Sequence, residues 1–457
     1  MPWLTKEPQF YKTLLMLAIP MGLQNILSIS VSLADNIMVG QLGERAVAGV
    51  MVANQVQHIM TFLVMGISAT LVVIAAQYWG KDDRDSVKDV IAIGIKLALG
   101  ISLLISVIVL IFPAQVLRAI TNDYGVIEEG VKYIRIVAFS YVFFCITQTL
   151  MGAMRCVEVV KIGITVSLST LVISVVGNYL LIFGHFGFPA LGIQGAAIAT
   201  LTARIMEAGI MIIYVRFVDQ RLKIRFLELL KTNKQLLADF FRYGLPIMGG
   251  DISWGTISII KVAILGRFGE SVMAANNISI ILLSVITVVV WSTSGASSVI
   301  IGKTVGSKDY ERVKQYARTM QVLFACLGIL AGITLFSARD LFISFFNFNA
   351  ETQAYARQFM TILSFSVAFT SYHAPCFMGI IRAGGDTKFV FIVDALVSWF
   401  LVLPMSFLAA FVFHAPPWVV FLCIFSDQFY KWIIAFIKTN RFKWIINLTR
   451  EGTEQLP

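Results

Sequence analysis

LALGISLLISVIVLIF, residues 97–112, decides the fold class. Sixteen apolar or small residues follow one another without a polar face, whereas a soluble surface helix keeps one. A membrane β-strand would alternate outward and inward residues with period two and carry aromatic girdles, and neither pattern is present. The stretch therefore reads as a helix buried in lipid. Worked outward at about 20 apolar residues per span, the same reading gives twelve segments. They lie at 13–39, 46–78, 90–112, 134–154, 159–184, 190–217, 240–266, 274–302, 318–336, 356–381, 388–413 and 416–437. Composition agrees: of 457 residues 58% are hydrophobic and only 14% charged, against about 25% charged in soluble proteins. The predicted class is an all-α integral membrane protein.

The net charge of +10, from 36 Lys and Arg against 26 Asp and Glu, could suggest nucleic acid. The basic residues lie instead in short loops between apolar runs, mostly on the side that holds both termini. By the positive-inside rule that side is cytoplasmic. The start of the chain carries Lys6, Glu7 and Lys12 before a run of span length, with no short apolar core and small-residue cleavage site, so it reads as a retained first helix. Cys145, Cys156, Cys326, Cys376 and Cys423 fall in apolar stretches without metal-ligand spacing and are expected as buried free thiols. The longest hydrophilic connection, 218–239, predicts a cytoplasmic linker between an N-terminal six-helix lobe, 1–217, and a C-terminal lobe with a cytoplasmic tail, 240–457.

The two halves also repeat each other. Pro20, Gly40, Gly43, Glu44, Gly80, Asp83, Val87 and Lys88 recur as Pro246, Gly266, Gly269, Glu270, Gly306, Asp309, Val313 and Lys314, and MGAMR at 151–155 recurs as MGIIR at 378–382. An even number of spans per half inserts both repeats the same way up, which predicts pseudo-two-fold symmetry about an axis along the membrane normal. Such an architecture suits a transporter that rocks one half against the other.

Several strings resemble the multidrug and toxic compound extrusion (MATE) family, bacterial type. They are SLADNIMVGQLGERAVAG (32–49), GISATLVVIAAQYWG (66–80), NYLLIFGHFGFPALGIQGAAIAT (178–200), LPIMGGDISW (245–254) and MGIIRAGGDTKF (378–389). The resemblance covers nearly the whole chain. It implies twelve transmembrane helices in two six-helix bundles, a central cavity, and export of cationic or amphipathic small molecules in exchange for Na+ or H+.

Intramembrane polar residues give the candidate sites. A carboxylate in mid-span costs about 2.5–3.5 kcal/mol to insert and usually faces the bundle interior with a partner. Asp35 is such a group, and Asn25, Ser28, Ser32 and Asp35 share one helical stripe. Ser167, Thr170, Ser174 and Asn178 make a second stripe in the fifth span. Oxygen ligands suit a hard cation such as Na+, and a lone carboxylate can also carry a proton. In the family, a first-span Asp acts with an Asn and an Asp of the fifth span and a Thr of the sixth. The matching positions are Asp35, Ser174, Asn178 and Thr200, so one family carboxylate is missing. The resemblance implies a Na+ site at Asp35, Asn178 and Thr200; an ion pair of Asp35 with a span lysine, or a cap on a loop, is the alternative.

In the second half, Asp251 and Trp254 could hold a lipophilic cation by charge and cation–π attraction, or Asp251 could cap a helix after Pro246. Lys261 stands where the repeat places the counterpart of Asp35, free to neutralise Asp251 or Asp394, to snorkel, or to form a permanent salt bridge. Gln55, with His58 and Gln148, could line the substrate cavity, while Arg155 and Arg382 read as helix-end charges that set topology. There is no G-x-x-x-x-G-K-[ST] loop and no clustering of His58, His185, His373 and His414, so neither ATP hydrolysis nor an enzyme is expected. No cofactor beyond the coupling ion, no nucleic acid and no obligate protein partner is expected; the partners are small organic cations or amphipathic compounds and the bilayer, and the location a cell inner membrane. The rival is a flippase of lipid-linked precursors on a related fold, for which a cavity lined by cations would be the mark.

Overall fold

The computed structural model describes residues 4–225, 228–230, 233–346 and 348–450. Parts of the 218–239 connection and residues 451–457 of the tail lie outside the described residues. Twelve long helical segments succeed one another: α1 (Pro8–Gly40), α2 (Glu44–Gly80), α3 (Arg84–Ile111), α4 (Tyr124–Val137 with Ser140–Cys156), α5 (Lys161–Phe183), α6 (Ile193–Val218), α7 (Lys234–Gly266), α8 (Glu270–Gly306), α9 (Tyr310–Ser344), α10 (Ala350–Pro375 continued by Cys376–Ile381), α11 (Thr387–Val412) and α12 (Pro417–Arg441). Among the described residues, ten of these are long and apolar enough to cross a membrane, and α4 makes an eleventh when its two parts, bent by 55°, are taken together. The expected span 134–154 thus starts in the last turn of the first arm, crosses the bend and runs along the second. Helix α10 has the length but is less apolar, carrying Glu351, Arg357 and His373.

The sequence repeat becomes a repeat of local structure. Asp83 and Asp309 both cap a helix, their carboxylates accepting from the backbone N–H of Ser86 at 3.1 Å and Arg312 at 3.2 Å. Such a cap contributes about 1 kcal/mol. The residues just before them, Asp82 and Lys308, both adopt positive φ, 60° and 61°, so the same tight turn is built twice. Gly152 of MGAMR lies against Ser68, and Gly379 of MGIIR against Ser294, where an added Cβ would meet the Ser294 carbonyl oxygen at 2.8 Å. Helix association in lipid rests on such close approach of small residues.

By internal contacts the chain forms two compact units. One comprises Met1–Gly22, Ala76–Asp82 and Leu245–Pro457; the other comprises Leu23–Ala75 and Asp83–Gly244. Within the first, the ends of α2 and α8 cross at Gly80 and Gly306, so closely that a Cβ on Gly80 would strike the Lys303 carbonyl oxygen and one on Gly306 that of Gln77. The same unit takes in the N-terminal segment. The Thr5 amide donates to Thr319 Oγ1 at 2.9 Å, and Glu7 accepts from the Tyr316 hydroxyl at 2.7 Å and from Arg312 at 3.2 Å. These contacts, the tyrosine bond foremost, hold the Glu7 carboxyl below its ordinary pKa. Cys145, Cys156 and Cys376 are buried as expected, but Cys423 is half-buried and Cys326 exposed. Cys326 shares an uncovered face of α9 with Ile329, Leu330 and Ile333, and that apolar stripe is the kind a helix turns to lipid.

Candidate functional site

In the unit built from Leu23–Ala75 and Asp83–Gly244, helix α1 brings Asp35 to α5. Asn178 Nδ2 donates to Asp35 Oδ1 at 2.6 Å. Asn178 is 1% exposed, and its Oδ1 is buried without a hydrogen-bond partner. A carboxylate beside an unpartnered amide oxygen is an oxygen-rich corner, the donor set a hard cation takes. The whole α5 stripe, Ser167, Thr170, Ser174 and Asn178, is buried. The α1 stripe is not: Ser28 and Ser32 are exposed and bond to their own helix, the hydroxyls reaching the Gln24 and Ser28 carbonyl oxygens. Of that stripe Asp35 alone is joined to another helix by a side-chain hydrogen bond among the described residues. Thr200 of α6 donates its hydroxyl to the Ala196 carbonyl oxygen of its own helix at 3.0 Å, so among the described residues no hydrogen bond ties it to Asp35 or Asn178.

Sequence reasoning missed a second carboxylate. Glu207, 5% exposed on α6, accepts from Thr170 Oγ1 at 2.5 Å and from Arg204 Nη1 at 2.8 and 3.0 Å. The guanidinium of Arg204 lies over the Phe144 ring, 4.9 Å from its centroid. The signal was available, since Arg204 and Glu207 are three residues apart inside an apolar span, where a pair is the only cheap way to carry two charges.

The other unit holds a larger charge network. Lys431, 3% exposed, reaches Asp394 at 2.5 Å, Asp427 at 3.1 Å and Ser398 Oγ at 3.1 Å. Lys261 stands 3.7 Å from Asp427 and 5.7 Å from the Phe425 ring centroid. Lys261 thus pairs with Asp427, and no ion pair joins it to Asp251 or Asp394 among the described residues. Asp251 is held by Arg382 at 3.3 Å, so Arg382 points into the lobe and does more than mark a helix end. Asp251 is not a helix cap, because it lies well inside α7. Trp254, one turn on, is exposed, and Gln55 and His58 of α2 are exposed on a common side. No group of three or more His, Cys, Asp or Glu suited to a metal occurs among the described residues.

Comparison with known proteins bears on the fold and the family. A family profile described as MatE matches residues 20–180 and again 246–408, the two matches starting at the equivalent prolines Pro20 and Pro246. Among curated relatives, an uncharacterized transporter, YisQ of Bacillus subtilis, is 24% identical over 425 residues, 90% of each chain. A probable multidrug resistance protein NorM of Oceanobacillus iheyensis is 26% identical over 401 residues, 87% of this chain and 89% of that one. Among solved structures, the fold is similar to that of the Vibrio cholerae MATE transporter VcmN, with TM-score 0.87, 17% identity and coverage of 96% and 98% of the two chains. It is similar also to the eukaryotic MATE transporter AtDTX14, with TM-score 0.82, 20% identity and coverage of 96% and 99%. The chain is an all-α integral membrane protein of two six-helix bundles and belongs to the MATE family of transporters.

Proposed function

We propose that the protein exports cationic or amphipathic small molecules in exchange for Na+ or H+, with Asp35 as the coupling carboxylate and Asn178, Ser174 and Thr200 around it. The observation that carries this reading is the Asp35–Asn178 contact beside an orphaned, buried Asn178 oxygen. A buried acceptor without a donor costs about 1–3 kcal/mol, and a bound cation is the partner that would recover it. The family and its NorM members support the multidrug class of substrate.

Exchange follows if the lobes 1–217 and 240–457 move about the 218–239 connection, with ion and substrate favouring opposite states; only differential affinity is needed. Gln55, Asp251, Trp254 and Lys261 are the substrate-side residues of this proposal. Arg382 must then yield Asp251, or Asp427 must yield Lys261, when a charged ligand arrives. The resting charge arrangement favours export over a flippase. Lys261, Lys431 and Arg382, the cations that could bind a diphosphate, are each engaged by a carboxylate. In this reading the protein works in a cell inner membrane with both termini cytoplasmic, as the distribution of basic residues supports.

Reconstitution into vesicles with separately imposed Na+ and H+ gradients tests the whole scheme. One of the two gradients should drive accumulation of a fluorescent aromatic cation such as ethidium, and Asp35→Asn should abolish that drive while leaving the protein folded. Drive at the normal rate in Asp35→Asn, at equal protein level, refutes the assignment.

A further inference from the structure

Helices α5 and α6 face each other along a polar ladder that continues beyond the ion corner. Thr170, Ser174 and Asn178 are four residues apart on one face of α5; Thr200, Arg204 and Glu207 are four and three apart on one face of α6. The Thr170–Glu207 bond fixes the antiparallel register at one end. At the other, Gly177 lies so close to α6 that a Cβ there would sit 3.0 Å from Ala199 Cβ. That register puts Thr200 level with Asn178, Arg204 level with Ser174, and Glu207 level with Thr170. Arg204 is therefore the middle rung, one helical turn, about 5.4 Å along the axis, from the layer that holds Asp35.

We propose that Arg204 is the built-in counter-cation of the ion site, resting on Glu207 while Asp35 holds its ion and turning to Asp35 when the ion leaves. The inference rests on the reading of Asp35 as the coupling carboxylate. Three features of the ladder support it. Both bonds from Arg204 to Glu207 use the one nitrogen Nη1, which leaves Nη2 and Nε with their N–H groups for another acceptor. The charges of Arg204 and Asp35 already interact across the rung, and Tyr133 from α4 is the further titratable group that faces both. The stripe that α5 turns toward them, Thr170, Ser174 and Asn178, is neutral. Asp35 and Glu207 together carry two negative charges and Arg204 one positive, so the ladder is short by one positive charge, which a single monovalent cation or proton supplies. A tethered guanidinium that competes for Asp35 lets the bound ion go without stranding a bare carboxylate in lipid, where it would be costly.

The test is a charge cycle read as the half-saturating concentration of Na+ at fixed pH, and of H+ in Na+-free buffer, for ethidium export from reconstituted vesicles. Arg204→Gln removes the competitor and should lower the half-saturating concentration about tenfold or more. Glu207→Gln frees Arg204 for Asp35 and should raise it by a similar factor. Arg204→Lys should stay near the parent protein, and the double variant Arg204→Gln/Glu207→Gln, which removes the pair without changing net charge, should keep most of the Arg204→Gln shift, because Glu207 acts here by holding Arg204.

Shifts in one direction for both single variants, or no shift, overturn the proposal, because a pair that merely holds the helices would be damaged alike from either side. If Glu207→Gln does not fold, Arg204→Gln against the double variant decides: a double variant back at the parent value overturns the idea, because net charge alone would then account for the Arg204→Gln shift. Asp35→Asn separates the two layers of argument. Ion dependence that survives in Asp35→Asn removes the coupling assignment, whereas its loss alongside an unshifted Arg204→Gln removes only the role of Arg204.

Discussion

Replacing Lys431 with Met tests whether the buried network of the C-terminal lobe is held by charge. Lys431 Nζ makes contacts of 2.5 Å to Asp394, 3.1 Å to Asp427 and 3.1 Å to Ser398. Its side chain is 3% exposed. Met fills nearly the same volume, so the loss is electrostatic. Asp427 keeps Lys261 at 3.7 Å, but Asp394 loses the one cation that an ion pair gives it among the described residues. Breaking a buried pair from one side costs about 3–5 kcal/mol. At roughly 2–4 °C per kcal/mol for a unit of about 200 residues, the thermal midpoint should fall by about 6–20 °C. The decisive comparison is Lys431→Met with Asp394→Asn, which removes both charges. Replacing a buried pair by neutral groups is often nearly free, so the double variant should recover most of the loss when unfolding is followed in detergent. A double variant as unstable as the single would refute the argument and assign the cost to the packing of the lysine stem.

Other expectations follow from single contacts. Gly306→Leu should lower folded yield and stability by at least about 1–3 kcal/mol, the usual cost of overpacking, because no side chain fits against the Gln77 carbonyl; Gly100→Leu, where nothing lies within 4 Å of an added Cβ, is the matched control. Asn178→Asp places a second carboxylate against Asp35 and should lower the half-saturating Na+ concentration for export, since two negative charges at one corner attract a cation more strongly; an unchanged value would show that residue 178 does not face the ion. Glu7→Gln should loosen the N-terminal segment, read as faster amide exchange over residues 4–7. The sign follows from the lowered carboxyl pKa. The contribution of Glu7 is fully present above its ordinary 4.5 and is lost as pH falls through the lowered folded value. The difference between parent and variant should therefore shrink in that acidic window.

The twelve helices were legible because burial in lipid writes one signal many times: long apolar runs with charge only in the gaps. The repeat was legible for a different reason. Gly80 and Gly306, Gly152 and Gly379, Asp83 and Asp309 stand where backbones nearly touch or a helix needs a cap, and few residue types satisfy such positions. What stayed hidden was pairing. A sequence shows that Lys261, Arg382 and Lys431 are costly in lipid but not which carboxylate answers each, since Asp427 and Asp394 lie far along the chain from Lys261. The bend in α4 was hidden too, because Ala138 and Phe139 continue an apolar run with neither proline nor glycine to mark a break.

Glu207 was overlooked although its spacing from Arg204 was legible. Arg204 and Glu207 cancel on a charge count, so the span looked uninformative at the place where it carries two charges. Costly intramembrane charges persist where the protein uses them or cannot fold without them, and the two cases differ in what neutral replacement does. For Lys431 and Asp394 the prediction is recovery of stability. For Arg204 and Glu207 it is opposite shifts in ion affinity from the two single variants. The pair of experiments thus sorts the buried charges of this transporter into those that hold a lobe together and those that set when an ion can leave.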